Sequence, residues 1–200
     1  MRVAVIGLFN SGSSVLASIL ERLGFELGRP LWEPHFESRS LRAQLVDWWR
    51  EPALVEDVAR EHRLPFLRWW VEQQEARNPL VCAKHPLLCL SAADLDAAWG
   101  PDYRAIRAAR PLPDAIAGLA RRGWFPEPER MQQRLHFAAQ RYLADKAHHA
   151  VDYDRLLADP EHEIRALLDW LELERPAAEV AAAAALVRRP PPRRVGPPFA

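Results

Sequence analysis

The sequence predicts an α/β protein, a three-layer sandwich built on a central parallel sheet. Two observations predict it. Short, mostly apolar runs at residues 3–6, 80–83, 103–108 and 150–153 have strand length and are separated by long stretches with helical spacing of apolar residues. Strands that alternate with helices in this way assemble into parallel sheets covered on both faces. The first run also leads into a loop of small residues, Gly7 to Ser14, and then directly into an amphipathic stretch.

Taken in order, strand one covers residues 2–7. Gly7 and Gly12 have the spacing of the phosphate-binding loop G-x-x-x-x-G-K-[ST], with Ser13 in the place of the lysine. Small residues let backbone amides converge, and the following helix turns its positive end toward an anion. The loop is therefore built for phosphate but lacks the lysine that reaches the β- and γ-phosphates in ATP chemistry. Its spacing makes the predicted sandwich P-loop NTPase-like. The plainer alternative is a glycine-serine turn in which Ser13 or Ser14 only caps the helix.

Helix one spans 13–23, and Gly24 ends it; Gly28-Arg29-Pro30 breaks the chain again. Residues 31–38, rich in proline and aromatics, predict a packed loop, with Ser38 or Ser40 capping a helix over 41–49. Helices over 54–62 and 66–74 come after it, so residues from about 31 to 78 form a helical insert. Its pairs Trp48-Trp49 and Trp69-Trp70 either fill the core or form an apolar wall for a substrate. Strand two covers 80–83. Lys84-His85-Pro86 stands at its carboxyl end, the end where open α/β sheets meet their ligands. A helix over 91–99, a strand over 103–108 and a helix ending at 122 come next. A long helix is expected over 127–148, then a strand over 150–153. Helices over 154–158 and 160–171 are next, Pro160 suiting a first turn, and an alanine-rich helix covers 177–187. These elements make one domain over 1–187. The proline- and arginine-rich tail, 188–200, suits neither helix nor central strand.

Lys plus Arg number 27 and Asp plus Glu 27, so the formal net charge is zero. Neither nucleic acid nor an anionic membrane is indicated as a partner. Cys82 and Cys89 give no disulfide framework. The chain enters a strand at once without a signal peptide, and no apolar run is long enough for a bilayer span, so the cytoplasm is the expected compartment.

The spelling Asn10-Ser11-Gly12-Ser13-Ser14 resembles the loop that grips the 5′-phosphosulfate of PAPS in sulfotransferases, [RK]-S-G-[TS]-[TS], with Asn10 where the family has a basic residue. Four further places carry the resemblance, which is to the compact bacterial type. Arg110 resembles the strand-end arginine that holds the 3′-phosphate, and Leu119, Arg121 and Arg122 match the leucine and basic residues found after it in the family; Gly118 stands where the family's phosphate-binding serine would be. Residues 81–90 are similar to a bacterial K-D-P-R-L-C-L stretch and keep Lys84, with His85 in place of the acid. His35-Phe36-Glu37-Ser38 resembles a segment that brings an acidic residue to the sulfuryl site, carried over here by Glu37. Residues 151–161 look like the family's Y-E-D-L-x-x-D-P turn, which serves packing.

The resemblance implies in-line transfer of a sulfuryl group from PAPS to a hydroxyl or amine of a small, partly apolar acceptor, with adenosine 3′,5′-bisphosphate as product and no metal. It implies cofactor binding by residues 10–14, Arg110 and position 118. Lys84 becomes the candidate cation, Glu37 the first candidate base, and His85 the second because its pKa is expected near neutrality. Arg188, Arg189, Arg193 and Arg194 either close over the 3′-phosphate or face solvent. Two alternatives stand beside this. The domain has lost catalysis and only binds, given Asn10 and Gly118, or it is a P-loop kinase with Asp152 as the one acid placed to hold Mg²⁺. Nothing in the sequence sets the oligomeric state.

Overall fold

A computed structural model describes residues 1–49 and 60–187. The elements run β1 (Arg2–Gly7), α1 (Ser13–Arg22), β2 (Leu31–Trp32), β3 (Glu37–Ser38), α2 (Arg39–Trp48), α3 (Arg60–Glu75) and β4 (Val81–Lys84). A 3-10 turn over Pro86–Ser91 leads to α4 (Ala92–Trp99), β5 (Arg104–Ala109), α5 (Leu112–Ala120), α6 (Pro128–Leu143), β6 (His148–Asp152), α7 (Tyr153–Ala158), α8 (Pro160–Leu171) and α9 (Ala177–Ala184). β1, β4, β5 and β6 form a parallel sheet in the order β4-β1-β5-β6. β1 is internal, Val3 lying in register with Cys82 on one side and Arg104 on the other.

The period of two along β1 divides the core. Val3 and Val5 pack with Leu16, Ile19, Leu20 and Leu167, the layer of α1, α8 and α9. Ala4 and Ile6 pack with Leu41, Trp70, Leu87, Leu95 and Leu135, the layer of α2 to α6. The expected three-layer α/β sandwich is therefore observed. The arginine that opens β5 sits at the amino-terminal end of the strand: Arg104 pairs with Glu172 at 2.9 Å and lies over the Trp170 ring.

Several element boundaries differ from expectation. Residues 31–38 are not a plain loop: β2 and β3 pair as an antiparallel ribbon, Trp32 opposite Glu37. α3 is continuous through Pro65, where two helices were expected. Proline removes one backbone bond, but the buried stripe Leu67, Trp70, Val71 and Gln74 holds the helix to the core. Residues 54–59 of the expected first helix, and the tail with Arg188, Arg189, Arg193 and Arg194, lie outside the described residues. α6 ends at Leu143, and His148 already belongs to β6. The tryptophan pairs are mainly core: Trp48, Trp49 and Trp70 are buried, and Trp69 is half exposed. Ser38 caps α2 as expected. Both cysteines are free and buried. Among the described residues, no helix is long and apolar enough to cross a membrane, and no group of three or more His, Cys, Asp or Glu side chains could hold a metal ion.

Candidate functional site

The carboxyl ends of the four parallel strands deliver their loops to one cleft. The loop after β1 supplies Asn10 and Gly12 to Val15, β4 ends on Lys84, Arg110 follows β5 and Tyr153 follows β6. The β1–α1 loop is tightly built. A Cβ on Gly7 would stand 2.8 Å from both the Ala108 Cβ and the Ser11 Oγ. Gly12 has φ +89°, and a Cβ there would lie 2.3 Å from the Tyr153 ring. Ser11 donates its hydroxyl to Leu8 O at 2.8 Å and is buried, so it shapes the loop and does not line the cleft. The first backbone bond of α1 is Leu16 N–H to Gly12 O. The amides of Gly12, Ser13, Ser14 and Val15 thus have no protein acceptor among the described residues. Four open amides at the positive end of a ten-residue helix make an anion cradle.

Two guanidinium groups flank the cradle, both held by Asn10. Arg110 donates from Nη1 to the Asn10 backbone oxygen at 2.8 Å and lies over Tyr153, 5.0 Å from the ring centroid. Arg122, just beyond α5, donates from Nε to Asn10 Oδ1 at 2.6 Å and lies over Trp124 at 4.6 Å. Neither is paired with a carboxylate among the described residues. Asn10 has φ +61°, and its side chain turns toward α5. There Gly118 leaves it room: a Cβ on Gly118 would stand 3.2 Å from the Asn10 Cβ. Gly118 is buried and stays behind the cleft wall. The two departures from the sulfotransferase motif, at 10 and 118, are therefore in contact.

Lys84 is differently placed. Its ammonium donates to Glu37 Oε1 at 2.7 Å, His35 O at 3.0 Å and Ser14 Oγ at 3.1 Å, which engages all three of its protons. Lys84 and Glu37 are 3% and 4% exposed, so theirs is a buried ion pair. Burial pushes the Glu37 carboxyl up, but the charge and hydrogen bond of Lys84, with the nearby His85 and His35, together outweigh it and the net direction is down. Glu37 Oε2 is buried without a hydrogen bond, 3.5 Å from His85 Nε2. His85 Nδ1 accepts the Leu87 N–H at 3.1 Å, which places the proton of the neutral ring on Nε2. Burial lowers His85 to about 4, against the pull of Glu37. The expectation of a value near neutrality is corrected by its complete enclosure, and its ring stands behind the cleft.

Of the sequence-predicted residues, Asn10, Gly12, Ser13, Ser14, Glu37, Lys84 and Arg110 line the cleft together, while Ser11, Gly118 and His85 support it from behind. Sequence reasoning did not assign Trp32, His35, Arg122, Trp124 or Tyr153 to the site, and all five line it. Arg122 and Tyr153 stood inside noticed motifs, which was the available signal. His35 likewise opened the His35-Phe36-Glu37-Ser38 segment; Trp32 and Trp124 had no such signal, because the β2–β3 ribbon and the α5–α6 connection meet only in the fold. His35 stacks on Trp32 with centroids 4.4 Å apart and meets Trp124 edge-on at 5.7 Å. Burial lowers His35 to about 4, opposed by Glu37 and aided by Lys84 and Arg122. Asp152, the acid considered for Mg²⁺, accepts the amides of Asp154 and Arg155 at 2.9 and 3.0 Å and so caps α7.

No family model and no curated protein matches the sequence. Among solved structures, the fold is similar to sulfotransferase STF9 from Mycobacterium avium, with a TM-score of 0.64 at 13% identity, covering 92% of this chain and 66% of that one. It is also similar to the sulfotransferase domain from the Synechococcus PCC 7002 olefin synthase, with a TM-score of 0.53 at 17% identity, covering 90% of this chain and 76% of that domain. The chain thus spans just under two thirds of the mycobacterial protein, and the fold it has is sulfotransferase-like.

Proposed function

We propose that the protein transfers a sulfuryl group from PAPS to a hydroxyl or amine of a small-molecule acceptor. The observation that carries this reading is the set of four open amides at Gly12–Val15, flanked by Arg110 and Arg122 without carboxylate partners. Three cations face one carboxylate in the cleft, so a polyanion is the complementary ligand.

The residues fit a nucleotide with two separated phosphates. The amide cradle, with Ser14, holds the 5′-phosphosulfate end, and Arg110 on its Tyr153 platform holds the 3′-phosphate. PAPS, when bound, supplies an activated sulfuryl group and a good leaving phosphate. Ser14 Oγ accepts from the Lys84 ammonium at 3.1 Å, which orients its hydroxyl beside the cradle. Glu37, which lines the cleft beside Lys84, accepts the acceptor's proton. Trp32, Trp124 and Phe9 give the acceptor side an apolar wall. The engagement of every Lys84 proton favours one second reading, a domain that binds the bisphosphate without transfer.

Calorimetric titration with adenosine 3′,5′-bisphosphate, and then labelled-sulfuryl transfer from PAPS across phenols, alcohols and amines, tests both. Saturable binding with transfer is expected. Binding without transfer to any acceptor supports the second reading, and no binding at about millimolar ligand overturns both. Glu37→Gln is expected to cut turnover far more than bisphosphate affinity; unchanged turnover removes Glu37 as the base.

A further inference from the structure

We propose that Arg122, held in place by the side chain of Asn10, meets the charge of the transferred sulfuryl group, in place of the basic side chain that loop position 10 lacks. The inference rests on the sulfotransferase reading and names a residue to which the motif resemblance gave no role.

Three observations carry it. Asn10 is a bracket for two guanidinium groups: its backbone oxygen takes Arg110 and its side-chain oxygen takes Arg122, at 2.8 and 2.6 Å. The bracket needs the left-handed backbone at residue 10, φ +61°, and the absence of a side chain at Gly118, against which the Asn10 side chain lies. Second, Arg122 is anchored but not used up. Its Nε is bonded and one face is covered by Trp124, while neither terminal amino group has a protein partner among the described residues. Those two groups form the fork that binds the oxygens of a tetrahedral anion. Third, the charge of Arg122 reaches the cleft interior, because it is one of the groups that lower His35. Lys84 is the opposite case, neutralised by Glu37 and engaged at all three protons. The net positive charge available to the transferred group therefore comes from Arg122.

In the transfer, the acceptor oxygen or nitrogen forms its bond to sulfur as the bond from sulfur to the 5′-phosphate oxygen breaks. That oxygen keeps the electron pair, and the acceptor's proton passes to Glu37. Arg122 stays charged throughout and stabilises negative charge on the sulfuryl oxygens.

The test compares the parent with Arg122→Ala, Asn10→Ala and the double variant Asn10→Arg/Arg122→Ala, each checked for folding by its thermal transition. Calorimetry gives affinities for PAPS and for adenosine 3′,5′-bisphosphate, which differ only in the sulfuryl group. Arg122→Ala is expected to weaken PAPS about tenfold and the bisphosphate by less than about threefold, and to lower turnover by about 100-fold. Asn10→Ala is expected to show the same pattern in weaker form, and the double variant to regain about tenfold in turnover over Arg122→Ala. Equal weakening of the two ligands, or a double variant no better than Arg122→Ala in both PAPS affinity and turnover, overturns the inference. A parent that binds neither ligand instead overturns the sulfotransferase reading itself, so the two failures are distinct.

Discussion

Replacing Lys84 with methionine should be the most damaging single change in the cleft, and its pH dependence should identify the cause. Methionine keeps most of the stem volume but leaves the Glu37 carboxylate, 4% exposed, without its ammonium. Breaking a buried pair by removing one partner costs about 3–5 kcal/mol, a large part of the roughly 5–15 kcal/mol that holds a domain together. In the parent, Glu37 lies below its ordinary value, so its contribution is full above the unfolded pKa and fades as pH falls through the folded one. In the variant the carboxyl is buried without a counter-ion and moves up. The folded state then holds a proton that the unfolded chain has lost, whether that proton sits on Glu37 or on His85, 3.5 Å away. The stability gap between parent and variant should therefore narrow as pH falls from about 7 to 5. Urea unfolding monitored by tryptophan fluorescence measures it, and adding Glu37→Gln to the variant should recover at least about 1 kcal/mol. A loss under about 1 kcal/mol, or a gap that widens in acid, would refute the account of the pair.

The remaining expectations concern the loop, the buried histidine and the thiols. Gly12→Ala combines a left-handed φ with a Cβ 2.3 Å from the Tyr153 ring, so a loss of about 2–4 kcal/mol and of bisphosphate binding is expected in urea and calorimetric titrations. His85 is buried with Glu37, Lys84, Arg42 and His35 acting on it and lies near 4, whereas an unfolded histidine protonates near 6.5. The unfolded chain therefore binds more protons between those values, and stability should fall by on the order of 3 kcal/mol from pH 7 to 4, a slope that His85→Gln should flatten. Burial pushes the Cys89 thiol up to about 12 and the Cys82 thiol higher still, so a thiol reagent should label neither in the native protein and both after denaturation.

Much of the scaffold is legible because its residues speak through local rules. Val3 to Ile6, Gly7 and Gly12 announce strand, turn and helix start by period and by steric need, and Pro160 announces the first turn of α8. The misjudged elements are those where packing overrides the local pattern. Pro65 argues for a break, but Leu67, Trp70 and Val71 bury one continuous face of α3. The site divides along the same line. Lys84 and Arg110 are readable because strand ends face the ligand in such sheets. Arg122 is readable as a basic residue, but its role depends on Asn10 and Trp124, and Asn10 is far from it in the chain. The Glu37–Lys84 pair likewise joins residues whose meeting only the β3–β4 approach creates. His85 shows the converse: its position is legible and its chemistry is not, since enclosure and not residue type sets its protonation.

The contact of the Tyr153 ring with Gly12 ties the loop nearest the amino terminus to a side chain that leaves the ribosome more than a hundred residues later. β1 meanwhile lies between β4 and β5 and waits for both neighbours. A nascent chain stopped before residue 153 would carry the whole phosphate-loop sequence but neither the platform under Arg110 nor the wall behind Gly12. Nucleotide capture on stalled chains of increasing length should thus switch on late and abruptly, with no gradual growth from the amino-terminal third.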